Sequence, residues 1–304
     1  MNASVRPAAG PDQEKALHAG RRVISTCANP RCATGWIRLW RSRRVPAFEG
    51  RWACSAGCME QVVAAAVRRE LEGRDAGAHL HRVPLGLLLV EQGRISPEQL
   101  RQALAEQRDA ARRQDGAALP LGQWLVRSGV LSETALTRAL GAQWSAPVFA
   151  LGDSRPEELA SALPAFFSET LGALPVRLAG DSMLYVAWPG RIDRTLAYAL
   201  EGICGLRVSS GIARDSELRV AQTRYLAAKA PRTRLLEAAS ASVLARALAR
   251  LIETEKPAEA RLRRIHRWWW LRLWRRLPAP SGLPLPGEVE DVLCTEGHEF
   301  RRPD

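Results

Sequence analysis

Two stretches of this chain are copies of one another. Residues 84–107 read PLGLLLVEQGRISPEQLRQALAEQ and residues 120–143 read PLGQWLVRSGVLSETALTRALGAQ. Aligned without a gap at an offset of 36, they agree at 11 positions, from Pro84/Pro120 to Gln107/Gln143. A duplicated unit constrains the fold more than any single motif, because each copy must bury the same face. The spacing predicts a helix pair in each copy. Gly93 and Gly129 end the first apolar run, where glycine takes the left-handed conformation that closes a helix. Ser96 and Ser132 then cap the next helix; in the first copy Pro97 falls at the first helical position and Gln99 completes a capping box. Leu100, Ala103, Leu104 and Gln107 follow at helical spacing, as do Leu136, Ala139, Leu140 and Gln143. Both second helices therefore bury one stripe and place a glutamine at its end.

The doubled pattern of an LG pair, a Leu-Val, a glycine seven residues after the first, and a later L-x-x-A-L-x-x-Q resembles the MshEN domain. That domain is the N-terminal region of type II secretion and type IV pilus assembly ATPases (GspE/PilB-like). The likeness continues through residues 147–225, with PVFAL, ALPVRLAGDSMLYVAWPG and CGLRVSSGIARDSELRVAQTRYL. The resemblance implies cyclic di-GMP as a candidate ligand, since some members bind it. It also implies that Leu85, Gly86, Gln107, Leu121, Gly122 and Gln143 supply apolar contact, close backbone approach and side-chain hydrogen bonds. A ligand with two guanines and two phosphates about a two-fold axis suits two equivalent helix pairs. Both copies here open with Pro-Leu-Gly where the family has Arg-Leu-Gly. Proline supplies neither the charge nor the fork of donors of an arginine; Arg82, Arg112 and Arg113 are the nearby cations. The same leucines and alanines are also what a helix-pair core needs, so a structural or docking role is the competing reading.

A P-loop requires G-x-x-x-x-G-K-[ST]. The only lysines are Lys15, Lys229 and Lys256, and none follows a glycine. No G-x-S-x-G, H-E-x-x-H or G-x-G-x-x-G occurs, and the five histidines form no hydrolase constellation. The chain reads as a non-enzyme: a regulatory or adaptor protein that senses a cyclic dinucleotide or docks onto a secretion or pilus-type machine.

Cysteines give a second signal. Cys27 and Cys32 frame CANPRC, and Cys54 and Cys58 frame CSAGC at the start of an apolar helix over residues 59–71. Two turn-held pairs suit four thiolates around a structural zinc ion (Zn2+), and the knuckle-then-helix order resembles a treble clef. Disulfides or free redox thiols are the alternatives, and a cytoplasmic setting argues against disulfides. Cys294 and His298 form a weaker C-x3-H pair. Between the cysteine pairs, Trp36, Trp40 and Trp52 alternate with Arg38, Arg41, Arg43 and Arg44. That pattern makes a nucleic-acid-binding finger the alternative function, against a plain core role for the indoles.

Downstream of the repeat, the pattern predicts a small α/β unit. Its strands are expected over residues 148–151, 174–178, 183–188 and 206–209, and its helices over 156–163, 193–203 and from Ser216. Residues 235–255 then read as a helix, and 257–277 as a second one carrying RIHRWWWLRLWRR. Its Trp268, Trp269, Trp270 and Trp274 beside arginines resemble a membrane-surface anchor, with packing inside the protein as the other reading. The expected fold class is α+β and mostly helical. In order, it comprises a disordered N-terminus (1–20), a zinc-knuckle module (21–75), the tandem helix pairs (82–146), the α/β subdomain (147–230), a helical extension (231–277) and a Pro-rich linker and tail (278–304). The net charge of +12 lies in the flanks. Neither a signal segment nor a membrane span is evident, so the expected location is the cytoplasm.

Overall fold

The computed structural model describes residues 26–32, 46–73, 82–112, 119–279 and 282–301. The readings that fall on residues 1–20, Trp36, Trp40, Arg38, Arg41, Arg43, Arg44, Arg113 and the His298 side chain lie outside the described residues.

A two-residue-per-strand hairpin, β1 (Ala47–Phe48) and β2 (Arg51–Trp52), leads into helix α1 (Ala56–Glu72). The repeat follows as α2 (Leu85–Glu91), α3 (Pro97–Arg112), α4 (Leu121–Arg127) and α5 (Glu133–Trp144). Gly93 and Gly129 are left-handed at φ 63° and 72°. The Gln99 backbone N–H donates to Ser96 Oγ and the Ser96 N–H to Gln99 Oε1, which is the capping box read from the sequence.

Next comes β3 (Val148–Phe149), a 3-10 turn (Pro156–Leu159), α6 (Ala165–Leu171), β4 (Leu174–Ala179), β5 (Met183–Trp188), α7 (Arg194–Cys204), β6 (Arg207–Ala213) and α8 (Asp215–Ala227). The strands form one sheet in the order β3-β6-β5-β4, parallel except for the β4–β5 hairpin. The helix expected over 156–163 shrinks to that 3-10 turn, because Pro164 opens α6 immediately afterwards.

The C-terminal third overturns the helical reading. Residues 232–240 are strand β7 (Arg232–Ser240), and only then does helix α9 (Ala241–Glu255) begin, capped by Ser240 Oγ. The expected helix over 257–277 is a hairpin of β8 (Glu259–Ile265) and β9 (Trp268–Trp274), closed by His266 and Arg267. The expected tail ends in β10 (Val289–Arg301), an interior strand of the sheet β7-β10-β9-β8. It runs parallel to β7 and antiparallel to β9. In place of a helical extension, then, stands a four-stranded sheet crossed by one helix.

In that sheet β9 and the first half of β10 are buried on both faces, which explains the run WWWLRLW. Trp269, Leu271 and Leu273 point toward Leu244, Leu248 and Ile252 of α9 and Met59, Val63 and Val67 of α1. Trp270 and Trp274 point the other way, into the core of Phe167, Trp188, Leu196 and Ile203. When both faces are covered, the polar half of a strand's alternation vanishes. Trp269, Trp270 and Trp274 are 1%, 0% and 3% exposed, so the membrane-surface reading of Trp268–Trp274 is corrected. No helix among the described residues is long and apolar enough to cross a membrane.

The first of those cores joins the N-terminal module to the far end of the chain. The Glu49 N–H donates to the Ala260 carbonyl at 2.8 Å and the Gly50 N–H to Glu259 Oε1 at 2.9 Å, so the β1–β2 turn sits on the free edge of β8. Arg69 holds Glu49 with two hydrogen bonds of 2.7 Å.

Candidate functional site

The repeat is built by reciprocity. Leu89 and Leu125, with Ala103, Ala139, Ile95, Leu131 and Leu136, make its core. A Cβ on Gly86 would lie 2.6 Å from Leu100 Cδ1 and 3.3 Å from Leu121 Cδ2. One on Gly122 would lie 2.6 Å from Leu136 Cδ1 and 3.2 Å from Leu85 Cδ2. Each glycine thus admits the leucine of its own second helix and the motif leucine of the other copy. Gln107 Nε2 donates to the Leu119 carbonyl at 2.6 Å, and Gln143 Nε2 to the Val83 carbonyl at 2.8 Å. The structure therefore sorts the six residues into two equivalent ends: Leu85 and Gly86 with Gln143, and Leu121 and Gly122 with Gln107. Sequence reasoning grouped them by copy; the fold exchanges them between copies. Among the described residues, each glutamine spends one N–H on a backbone carbonyl and makes no other side-chain hydrogen bond.

Because the methyl of an alanine must displace leucine side chains that can still turn, Gly86→Ala and Gly122→Ala are each expected to cost about 1 kcal/mol, the low end of overpacking. Urea denaturation checks this, and an unchanged midpoint would show that the close approach is slack.

The two ends differ electrostatically. At the Gln107 end, the Glu106 carboxylate accepts from Gln102 and from Trp124 Nε1 at 3.1 Å, and these bonds, Gln102's first, lower its pKa. At the Gln143 end, the Arg82 guanidinium carbon lies over the Trp144 ring, 3.5 Å from its centre. Burial and the nearby Arg194 and Arg191 push Arg82 below the ordinary arginine value.

The second assembly is the cysteine cluster. The ligand atoms of Cys27, Cys32, Cys54 and Cys58 all lie within 4.8 Å of one another. Cys32 Sγ is 3.5 Å and Cys58 Sγ 3.6 Å from Cys54 Sγ, so the contacts are not disulfides. A tetrahedron of sulfurs around zinc at about 2.3 Å has edges of about 3.8 Å, and the cluster fits that size. The turn is made by Asn29, whose Oδ1 accepts from the Arg31 N–H while its Nδ2 donates to Cys58 Sγ at 3.3 Å and to Gln61 Oε1 at 2.8 Å. The Cys54 N–H donates to Cys27 Sγ at 3.4 Å. Ser55 caps α1 at the Cys58 N–H. The Asn29 bond, followed by Ser55, lowers the Cys58 pKa, and donors aimed at sulfur are the outer-shell support thiolate ligands need. These four residues could hold a metal ion, and four thiolates leave it no open position for catalysis. Sequence reading picked out the four cysteines and the turn at Asn29 and Pro30, but not the hydrogen bond from Asn29 to the Cys58 sulfur.

Cys294 belongs to neither assembly. It is buried in β10 against the α9 side of the sheet, and burial pushes its thiol up to about 12.

No protein-family model matches the chain. It is 31% identical over 148 residues to the type IV pilus assembly ATPase PilB of Myxococcus xanthus (strain DK1622), covering 48% of this chain and 25% of that protein. Among solved structures it is similar to MshE with cdg, at 32% identity and a TM-score of 0.39 over 47% of this chain and 99% of that one. It is also similar to the N-terminal domain of XpsE, at 21% identity and a TM-score of 0.33 over 46% and 92%. With the duplicated helix pairs and the α/β unit behind them, the homology to the N-terminal region of PilB makes the middle of this chain an MshEN/GspE N-terminal-like domain.

Proposed function

We propose that this chain is a non-catalytic regulatory or adaptor protein whose helix-pair repeat takes a cyclic dinucleotide, cyclic di-GMP, and whose cysteine cluster takes a structural zinc ion. The observation that carries the reading is the reciprocal geometry of the repeat: two equivalent ends, each made of a Leu-Gly pair from one copy and a glutamine from the other. A two-fold symmetric ligand meets two like surfaces there. The glycines let the backbone come close, and the leucines offer apolar contact beside the glutamine oxygens. By the same resemblance, the state of the site would be read by a secretion or pilus-type machine onto which the domain docks. In the zinc module, the metal's task would be to hold α1 and the β1–β2 turn against the C-terminal sheet.

Calorimetric titration of the zinc-loaded full chain with cyclic di-GMP tests the ligand, with cyclic di-AMP, GMP and ATP as controls. The expected result is saturable binding selective for cyclic di-GMP and weakened about tenfold, or roughly 1.4 kcal/mol, by Gln143→Ala. No heat and no thermal shift at saturating ligand would overturn it and leave the repeat as a scaffold for protein docking.

A further inference from the structure

We propose that Arg82, Arg191 and Arg194, with the indole of Trp144, form a phosphate-binding site at the Gln143 end of the repeat, supplying the cationic donors that the two Pro-Leu-Gly openings lack. The identity of the phosphate as that of a cyclic dinucleotide rests on the reading above; the site itself rests on the following geometry.

The Val83 carbonyl is clamped by Gln143, which fixes the segment just before Pro84 against the end of α5. Trp144 is the next residue, and Arg82 stacks on its face. Cation–π contact with an indole holds a guanidinium in place, and its fork of N–H donors suits phosphate oxygens. The loop before α7 comes up beside the same helix: a Cβ on Gly190 would lie 3.8 Å from Leu140 Cδ1, one turn before Trp144. Leu140 and Trp144 both pack against the core that α7 helps to build. That loop carries Arg191 and Arg194, both exposed, and theirs are the charges that bear on Arg82.

The three cations are near enough for their charges to interact. Among the described residues, no carboxylate forms an ion pair with any of the three. The one carboxylate in the loop, Asp193, is engaged elsewhere. Its Oδ1 accepts from the Leu196 N–H at 3.0 Å as the cap of α7, and its Oδ2 lies 2.6 Å from His266 Nε2. Cations kept unneutralised cost free energy through mutual repulsion, which an anion placed among them relieves. At the opposite end of the repeat, the position equivalent to Trp144 is Arg108, and the Glu106 carboxylate stands beside Gln107. The repeat is thus symmetric in packing and asymmetric in charge, and the phosphate is expected at one end.

Binding of cyclic di-GMP and of inorganic pyrophosphate to the full chain should be measured by calorimetry at two salt concentrations. The variants are Arg191→Gln/Arg194→Gln, whose side chains are exposed, then Arg82→Gln, and Arg108→Gln at the other end. The double variant is expected to weaken cyclic di-GMP at least tenfold, to abolish pyrophosphate binding and to flatten the salt dependence, with Arg108→Gln unchanged. Cyclic di-GMP binding that the double variant leaves intact would overturn the arginine site while sparing the cyclic dinucleotide reading. Arginine-dependent pyrophosphate binding without cyclic di-GMP binding would do the reverse. Binding of neither anion by the unaltered chain would overturn both.

Discussion

Asp291→Ala is expected to destabilise the chain by about 3–5 kcal/mol, because it strands a charge that no water reaches. Arg272 and Asp291 are each 0% exposed. Arg272 Nε and Nη2 hold the two carboxylate oxygens at 2.7 and 2.9 Å, and Trp270 Nε1 donates to Asp291 Oδ1 at 2.7 Å. The guanidinium also reaches the Ala162 carbonyl at 3.4 Å, so the pair connects the C-terminal sheet to the domain it packs on. Without the carboxylate, the guanidinium loses its counter-charge and the indole N–H its acceptor, and desolvation is no longer offset. Arg272→Met/Asp291→Leu removes both partners and is expected to lose much less than Asp291→Ala alone. Urea unfolding of the three proteins decides it; a single-variant loss below about 1 kcal/mol would mean that the site opens to solvent. The Glu98–Arg101 pair is shorter, at 2.6 Å, yet 71% and 73% exposed, and Glu98→Ala is expected to leave the unfolding midpoint where it is.

That buried pair also marks where sequence reading fails. The repeat was legible because its helices are two-sided: Leu100, Ala103 and Leu104 face the core and Arg101 faces water, so periodicity and caps agree. The β9 strand has no such contrast. Its partners β8 and β10 and the helices on both faces cover nearly every side chain, and WWWLRLW scores as well for a helix as for a strand. The hairpin turn at His266 and Arg267 lacks the Asn-Gly signal, with His266 left-handed at φ 54° in place of a glycine. Nor could the pairing of β10 with β7, more than fifty residues apart in sequence, be read locally. At the candidate site, the six motif residues were identifiable by type, but their exchange between copies depends on how the two helix pairs dock. Arg191 and Arg194 come from a different subdomain, so only proximity in space joins them to Arg82. The four cysteines were legible because their spacing is itself the chemistry.

Stripping the proposed zinc is expected to unfold the described part of the cysteine module, residues 26–32 and 46–73, and to leave the repeat standing. Among the described residues, the module's strands are two residues each, and its buried face, Phe48, Met59, Val63 and Val67, is completed by α9 and the C-terminal sheet. Domains this small rely on a metal or a disulfide, and no disulfide joins these cysteines. A closed four-thiolate zinc is worth on the order of 10 kcal/mol to the fold it organises, more than the β1–β2 turn and the Arg69–Glu49 pair could replace. Metal analysis should find one zinc per chain, absent in Cys54→Ser/Cys58→Ser. A chelator strong enough to compete should then abolish amide-exchange protection in α1 and raise exchange in α9, whose Leu244, Leu248 and Ile252 lose their cover. Amides of the helix-pair core around Leu89 and Leu125 should not change, since among the described residues that core and the module's cluster are separate. A metal-free protein with full α1 protection would overturn the zinc assignment. It would mean that docking on the C-terminal sheet alone folds the module, leaving the four thiols available for redox chemistry.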